Sequence, residues 1–299
     1  MSTQTQTREA PRRGRGVTQR RNLGSHTFLV LLVLYFALPL WWLIVASTKN
    51  INGLFTGTGG PLWFDSEFDL VANVRQLFTQ NGGIYWRWLA NSFLYALVGG
   101  VGATVLSVLA GYGFAKYRFR GRNLYFSLLL GSVMVPLTAL VIPTFVLLSD
   151  MGLTNTIWAV ILPSLLSPFG VYLMRVYAQD AVPDELLDAA RVDGAGDFKT
   201  FVSVALPLLR PAIVTVLLLS TVATWNNYFL PLIMLSEPTW YPLTVGLNQW
   251  NQQASTVGGD VIYNLVITGA LLTIVPIVLA FLFLQRYWQS GLTAGSVKA

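Results

Sequence analysis

Residues 88–115 read WLANSFLYALVGGVGATVLSVLAGYGFA, a run of 28 residues without any Asp, Glu, Lys or Arg. A helix rises about 1.5 Å per residue, and about 20 apolar residues cross the hydrocarbon core of a bilayer, so this run is long enough to span. Five further windows of 24 to 27 residues are equally free of these charged residues: 22–48, 123–149, 151–174, 211–236 and 261–285. The sequence therefore predicts an all-α membrane protein with about six transmembrane helices.

Composition excludes several kinds of function. Only 11% of the 299 residues are charged, against about 25% in a soluble domain, and 54% are hydrophobic. The chain has no cysteine, and its one histidine, His26, precedes the first apolar window, where we expect an interfacial position. The net charge of +6 includes a basic N-terminal tail that can contact anionic membrane lipid, and no nucleic-acid-binding motif accompanies it. We expect no metal, cofactor or nucleic-acid site in this chain.

The windows divide the chain into a basic tail (1–26), a transmembrane domain (27–287) and a C-terminal tail (288–299). The stretch 238–259 is uncharged but rich in Gln, Asn, Pro and Gly, so we predict a loop outside the bilayer. The first window ends in Val45-Ala46-Ser47, a weak signal-cleavage pattern, but its apolar length favours a retained anchor. The spans are expected near residues 28–47, 89–114, 124–148, 155–174, 211–235 and 262–284.

Basic residues predict the orientation of these spans. When Lys and Arg are counted on alternate sides, 16 of the 19 fall on the side of the two termini, and only Lys49, Arg75 and Arg87 fall on the other. The positive-inside rule then places both termini and the loop 178–208 in the cytoplasm. The expected location is the cytoplasmic membrane, crossed several times.

The charged residues also bear on the source of energy, because none of them lies in a predicted span. Ion-coupled carriers usually place an ionisable residue in the membrane, so proton coupling is disfavoured, although a sodium site of carbonyl and hydroxyl groups stays open. The chain has no GxxxxGK[ST] loop to hold nucleotide phosphates. Energy for active transport should therefore come from another polypeptide. Glycines in the second window, with Pro136 and Pro143 in the third, predict closely packed, bent helices.

One cytoplasmic loop, between Arg175 and Arg210, is long enough to receive a partner, and it holds six of the 13 acidic residues. Pro183-Asp184-Glu185 is a typical helix start and Gly194-Ala195-Gly196 a typical stop, after which Asp197 can cap a second helix. We predict a helix–turn–helix hairpin, with a solvated hairpin that binds no partner as the alternative. Its candidate apolar anchors are Leu186, Leu187, Phe198 and Phe201.

Residues 188–207 resemble the EAA loop of binding-protein-dependent ABC importer permeases, EAA-x3-G-x9-I-x-LP. Asp188-Ala189-Ala190, Gly194, Val204 and Leu206-Pro207 keep the spacing of that motif, with Asp188 in place of the usual glutamate and Val204 in place of isoleucine. In that family the loop forms the coupling helix that docks on the ATPase. The resemblance therefore implies an ATPase-coupling role for Glu185, Asp188, Ala189, Ala190, Gly194, Leu206 and Pro207.

The likeness extends from about residue 27 to the C-terminus and is similar to the carbohydrate-uptake, maltose-type branch. It includes GYGFAKYRFRGR (111–122), GLTNT (152–156), ILP (161–163), WNNYFLPL (225–232) and GLTAGSVK (291–298). This resemblance implies the architecture of a type I ABC importer permease. It also implies a heterodimer with a second permease subunit, two ATPase subunits that bind ATP and Mg, an extracytoplasmic solute-binding protein and a carbohydrate substrate.

Candidate substrate contacts lie in the fifth and sixth spans. Sugars are recognised by aromatic faces and fixed hydrogen-bonding groups, and both kinds of group occur near the middle of the fifth span. Hydrogen bonding between helices is the alternative role for such residues. The candidates are Trp225, Asn226, Asn227, Tyr228, Asn264 and Thr268.

These observations predict the non-catalytic membrane subunit of an ATP-driven importer for a carbohydrate, expected to be an oligosaccharide. A secondary, ion-coupled carrier is the alternative function. An intramembrane enzyme is the weakest of the three, because the predicted spans contain no catalytic dyad and no set of metal ligands.

Overall fold

The computed structural model describes residues 23–258 and 261–294. The predicted basic tail before residue 23 and the last five residues of the predicted C-terminal tail lie outside this part of the chain. The helices are α1 Leu23–Ser47, α2 Ile51–Thr56, α3 Leu70–Thr79, α4 Ile84–Lys116, α5 Arg122–Val133, α6 Leu137–Asp150, α7 Trp158–Ser164, α8 Pro168–Ala181, α9 Asp184–Val192, α10 Asp197–Thr200, α11 Leu206–Trp225, α12 Phe229–Met234, α13 Leu243–Ser255 and α14 Tyr263–Ala294.

The all-α membrane fold is confirmed, since the described residues form helices and no strand. Five helical segments within them are long and apolar enough to cross a membrane, and a sixth is added if α5 and α6 count as one span. Those two helices meet at 106°, so the third predicted span is sharply broken. The break falls at Pro136, which has no amide hydrogen for a helical bond and restricts the residue before it. Pro143, in contrast, lies inside α6 without ending it.

The chain divides into two units, residues 1–42 and 43–299. Of the first unit, the structure describes a continuous helical run of α1 that contains Pro39. The second unit contains the elements that position the candidate site. All contacts given below are within this second unit.

The long helix α4 packs against both α8 and α11. Its glycines allow close approach: a Cβ atom at Gly100 would stand 2.5 Å from Thr221 Oγ1 of α11. A Cβ atom at Gly111 would stand 2.5 Å from the Cβ atom of Met174 on α8. Small residues at such crossings bring helix backbones together, which is the main source of helix association inside a membrane. The glycine-rich second window therefore forms the packing surface that the sequence predicted.

The stretch 238–259, predicted to be a loop, is largely helical. A 3-10 turn over Pro238–Trp240 leads into α13, and Leu243, Leu247 and Trp250 are buried. These three residues recur at helical spacing, which gives α13 one apolar face among otherwise polar residues. That face packs against α4, where Trp88 and Trp250 meet with ring centroids 4.7 Å apart. The polar composition thus belongs to an amphipathic helix, and its predicted position outside the bilayer stays a prediction.

The fifth predicted span also departs from a simple helix. Residues 197–225 form one continuous helical segment, but Phe201–Ala205 is a π-helical turn. Pro207 follows, and its missing N–H removes the α-helical bond to the carbonyl of Ser203, so a wider turn just before it is favoured. The helix then ends at Trp225, and α12 begins only at Phe229. A helix break at residues 226–228 therefore interrupts the predicted span 211–235 and follows the end of the long helical segment 197–225.

Candidate functional site

The predicted hairpin is formed by α9 and α10, joined by a tight turn. Gly194 has φ of +79°, a left-handed conformation that favours glycine. The backbone N–H of Gly194 donates to Arg191 O at 3.0 Å, and that of Ala195 donates to Ala190 O at 2.9 Å. These two bonds form a Schellman motif that satisfies the last carbonyls of α9. The predicted stop is confirmed, but Asp197 is the first residue of α10 and makes no capping hydrogen bond.

The hairpin has an outer face and an inner anchor. Glu185, Asp188, Ala189 and Gly194 are exposed and Ala190 is half-buried, so the motif residues form an accessible surface. Leu187, on the opposite side of α9, is only 4% exposed. It lies in a buried apolar cluster with residues of α4, α8, α11 and the segments just after α8 and just before α11. These residues are Val108, Tyr112, Met174, Ala178, Val182, Ala205, Leu209, Ala212 and Val216. The hairpin is therefore held against the long helices.

The four candidate apolar anchors do not share one role. Leu187 is buried, and Phe201 is half-buried, with its ring centroid 4.9 Å from that of Tyr112 on α4. Leu186 and Phe198 are exposed on the outer face. The last two motif residues lie at the start of α11 and differ in exposure, since Leu206 is half-buried and Pro207 is exposed. Two of the anchors thus face the interior, and two are available to a partner.

Ion pairs tie the hairpin to its surroundings. Lys116, at the end of α4, places Nζ 2.8 Å from Asp184 Oδ1, although the lysine side chain itself is only 8% exposed. The hydrogen bond from Lys116 lowers the pKa of the Asp184 carboxyl, and the positive charge of Lys116 adds to the effect. Arg191 reaches Asp188 at 3.0 Å and Asp197 at 3.8 Å, so it links α9 to α10. Sequence reasoning missed Lys116, because opposite charges on two loops do not reveal which of them pair.

The second candidate region is the break between α11 and α12. Trp225 is buried, and its ring centroid lies 5.1 Å from that of Phe93. The Tyr228 hydroxyl donates to Asn248 Oδ1 on α13 at 3.0 Å, while Thr244 Oγ1 donates to the backbone carbonyl of Asn227 at 2.8 Å.

Asn226, in the same break, is exposed, and its Nδ2 donates to Val222 O at 2.9 Å. Polar side chains and an interrupted backbone therefore meet at one point of the span, held by α13.

Asn264 and Thr268 lie in a different network. Asn264 Nδ2 donates to Asn73 Oδ1 on α3 at 2.8 Å, and Thr268 Oγ1 donates to Asn264 O at 2.7 Å. Asn73 in turn donates to the carbonyls of Ser47 and Lys49 at 2.9 and 2.8 Å. Both predicted residues are buried, and the hydrogen bonds described here join α14, α3 and the end of α1. The structure does not bring them into the hydrogen-bonded group around Tyr228, and their pathway role stays a prediction.

Known proteins resemble this chain over most of its length. Residues 103–292 match the family described as binding-protein-dependent transport system inner membrane component. The arabinooligosaccharides transport system permease protein AraQ of Halalkalibacterium halodurans is 37% identical over 260 residues, covering 87% of this chain and 90% of that protein. The lactose transport system permease protein LacG of Rhizobium radiobacter is 32% identical over 286 residues, covering 94% and 99%.

A crystal structure of a bacterial ABC transporter involved in the import of the acidic polysaccharide alginate has the same fold. The TM-score is 0.75 at 22% identity, and the match covers 89% of this chain and 95% of that chain. The family match spans both the hairpin and the helix break, and it confirms the resemblance drawn from residues 188–207. It also favours an importer permease over an ion-coupled carrier. This chain belongs to the family of binding-protein-dependent transport system inner membrane components.

Proposed function

We propose that this chain is a membrane-spanning subunit of an ATP-driven, binding-protein-dependent importer that carries an oligosaccharide across the cytoplasmic membrane. The observation that carries the proposal is the hairpin, which presents the motif residues on an exposed surface. On its other side, Leu187 is buried against the long helices. A hairpin that served only as a solvated connection would need no such anchor.

The hairpin has three separate attachments through which a docked ATPase can act. Leu187 packs into the cluster shared by α8 and α11, Asp184 pairs with Lys116 at the end of α4, and α10 continues directly into α11. Displacement of the exposed face would therefore be transmitted to α4, α8 and α11 together. Such rigid-body movement of packed helices is a known way to switch between two conformations. The coupling residues act by position and contact, and ATP hydrolysis with Mg takes place on separate ATPase subunits.

The remaining partners follow from the family. We assign this chain a second permease subunit, two ATPase subunits and an extracytoplasmic solute-binding protein, with the hairpin and both termini in the cytoplasm. The 16-to-3 distribution of basic residues supports this orientation. The chain itself binds no nucleotide or metal in this scheme.

A carbohydrate substrate is supported by relatives named for arabinooligosaccharides and lactose. The helix break at Asn226 to Tyr228 is the proposed pathway contact. Irregular backbone at membrane depth is tolerated where protein buries it or where it lines a water-filled cavity. Asn226 is the exposed side chain of this break, and the aromatic rings of Trp225 and Tyr228 flank it in sequence. A sugar would meet the exposed Asn226 amide beside the half-buried ring of Tyr228, whereas Trp225 is buried and supports the break by packing against Phe93.

Transport by the reconstituted assembly tests the function. Vesicles containing this chain, the second permease and the ATPase subunits would be supplied with the solute-binding protein and labelled arabino-oligosaccharide or lactose. We expect accumulation with ATP, none with a non-hydrolysable analogue, and no loss when an uncoupler collapses the ion gradients. Transport by this chain alone, driven by an ion gradient without ATP, would refute the importer assignment. ATP-driven uptake of a non-carbohydrate solute would refute only the substrate class.

A further inference from the structure

A group of arginines at the junction of α4, α5 and α8 takes no part in the mechanism above. The turn between α4 and α5 reads KYRFRGR over residues 116–122, with four basic residues in seven. Lys116 is neutralised by Asp184. Throughout residues 23–258 and 261–294, no ion pair with a carboxylate is formed by Arg118, Arg120 or Arg122. This turn therefore carries positive charge that the described part of the chain leaves uncompensated.

Arg175 of α8 adds a further guanidinium to this group. Its Cζ lies 3.5 Å from the centroid of the Phe126 ring on α5. Phe126 follows Arg122 by four residues, so both occupy the same face of α5, and Arg175 is brought beside Arg122. The Nε atoms of Arg122 and Arg175 are both buried and have no hydrogen-bond acceptor in the described structure. Arg122 also donates from Nη1 to Tyr117 O at 3.4 Å. Two neighbouring cations with an unsatisfied donor each are unfavourable, and an anion close to them would offset that cost.

An open cavity of about 470 Å³ adjoins Arg122. Its lining combines guanidinium groups with an amide side chain and the first apolar residue of α5. The lining residues are Arg118, Phe119, Gly121, Arg122, Asn123 and Leu124. Guanidinium forks match the oxygens of a phosphate and bind it through paired N–H donors. The chemistry of the cavity therefore suits a phosphate group.

The surface next to the cavity is apolar. Leu124 and Leu128 are both exposed, and because they are four residues apart they lie one above the other along α5. Tyr125 is exposed between them in sequence, and tyrosine is enriched where a membrane meets water. A ligand of this region should therefore combine an anionic group at the arginines with a hydrocarbon chain along α5. A free phosphate ion would leave the leucines uncovered, and an acidic peptide would bring no chain into the span.

We propose that Arg118 and Arg122 bind the phosphate of an anionic phospholipid in the inner leaflet, with Arg175 adding positive charge from behind Phe126 and an acyl chain lying against Leu124 and Leu128. The orientation predicted from the basic residues places this end of α5 at the cytoplasmic surface. Anionic lipids are concentrated in that leaflet and attract basic residues close to the membrane. The site is separate from the hairpin surface and from the helix break.

Native mass spectrometry of the purified transporter complex would test the site. Phosphatidylglycerol and phosphatidylcholine with the same acyl chains would be titrated separately, and inorganic phosphate would be used as a competitor. The double variant Arg122→Gln/Arg175→Gln should lower affinity for phosphatidylglycerol about 30-fold, since each basic residue near an anionic surface contributes about fivefold. Arg75→Gln is the control for removal of a positive charge elsewhere, because it removes one such charge from an exposed position on α3 and should leave binding unchanged.

Several results would overturn the proposal. One is phosphatidylglycerol binding that is unchanged in the double variant. Another is phosphatidylcholine that the wild type retains as well as phosphatidylglycerol. Displacement by millimolar inorganic phosphate would assign the cavity to a soluble anion instead. Loss of the ATPase subunit from the double variant with lipid binding intact would make the arginines a subunit interface. If the double variant is not monodisperse, the single variant Arg118→Gln, at an exposed position, tests the site instead. About fivefold weaker phosphatidylglycerol binding would support the proposal, and unchanged binding would overturn it.

Discussion

Truncation of Leu187 to alanine should detach the hairpin from the long helices without altering its docking surface. The side chain is 4% exposed, and removing its three terminal carbons loses about 2.4 kcal/mol of transfer free energy, to which the cavity left behind adds. We therefore expect about 3 kcal/mol less stabilisation of α9. The remaining ion pairs are surface contacts, which contribute little on their own. Local opening of α9 should become about 100-fold more frequent.

Hydrogen exchange of the α9 amides in the purified transporter measures this opening directly. Uptake per ATP hydrolysed should fall in parallel, because the ATPase would then move a hairpin that is loosely attached. Leu186→Ala is the matched control, since its side chain is 45% exposed on the outer face and should leave exchange of α9 nearly unchanged. Equal exchange in the wild type and in Leu187→Ala would refute the anchoring argument. An equal increase in both variants would refute it as well.

Three further predictions concern the same region. Gly194→Val should abolish uptake while the chain still inserts, because φ of +79° is strained for a β-branched residue. Ala190→Arg should also abolish uptake, because it places bulk and charge on the hairpin. Normal uptake with the ATPase still co-purifying would contradict both predictions. Lys199 should be labelled by a membrane-impermeant amine reagent only after the cells are opened, and labelling of intact cells would contradict the topology. Asp184→Asn should raise hydrogen exchange in the second turn of α9, because Lys116 loses its carboxylate partner and the start of the helix is held less firmly. The pKa of Asp184 is lowered in the folded protein, so the pair contributes above about pH 3.9 and is lost only as pH falls through the lower folded-state value. This effect on exchange should therefore be constant between pH 7 and 5.

Sequence reasoning succeeded where the determining interactions are local. The length of an uncharged window decides whether a segment can span, and glycine at position 194 decides where α9 ends. Contacts between distant residues could not be predicted in this way. Lys116 and Asp184 are 68 positions apart, and Asn73 and Asn264 are 191 apart. No periodic pattern connects such partners, because their meeting depends on how the helices pack.

The departures from the predicted spans have the same origin. Pro136 signals a break, but the angle of 106° between α5 and α6 is set by what each half packs against. The polar composition of residues 238–259 hides the buried face of α13, because a few residues at helical spacing suffice to fix an amphipathic helix. The polar residues of the sequence identified the segment from Trp225 to Tyr228 as a candidate site. They did not reveal that α11 ends within this segment. Burial of Leu187 rather than Leu186 likewise depends on the rotation of α9.

The π-helical turn over Phe201–Ala205 makes the direction of the hairpin depend on a count of residues. An α-helix advances about 100° per residue, so one residue more or fewer in this turn rotates everything before it by that amount relative to α11. Side-chain substitutions within the turn do not change its number of residues, so they leave the direction of the hairpin around the axis of α11 unchanged. A single deletion, by contrast, would turn the docking face toward a different neighbour while leaving both helices intact. In this segment, chain length specifies geometry as strictly as residue identity does.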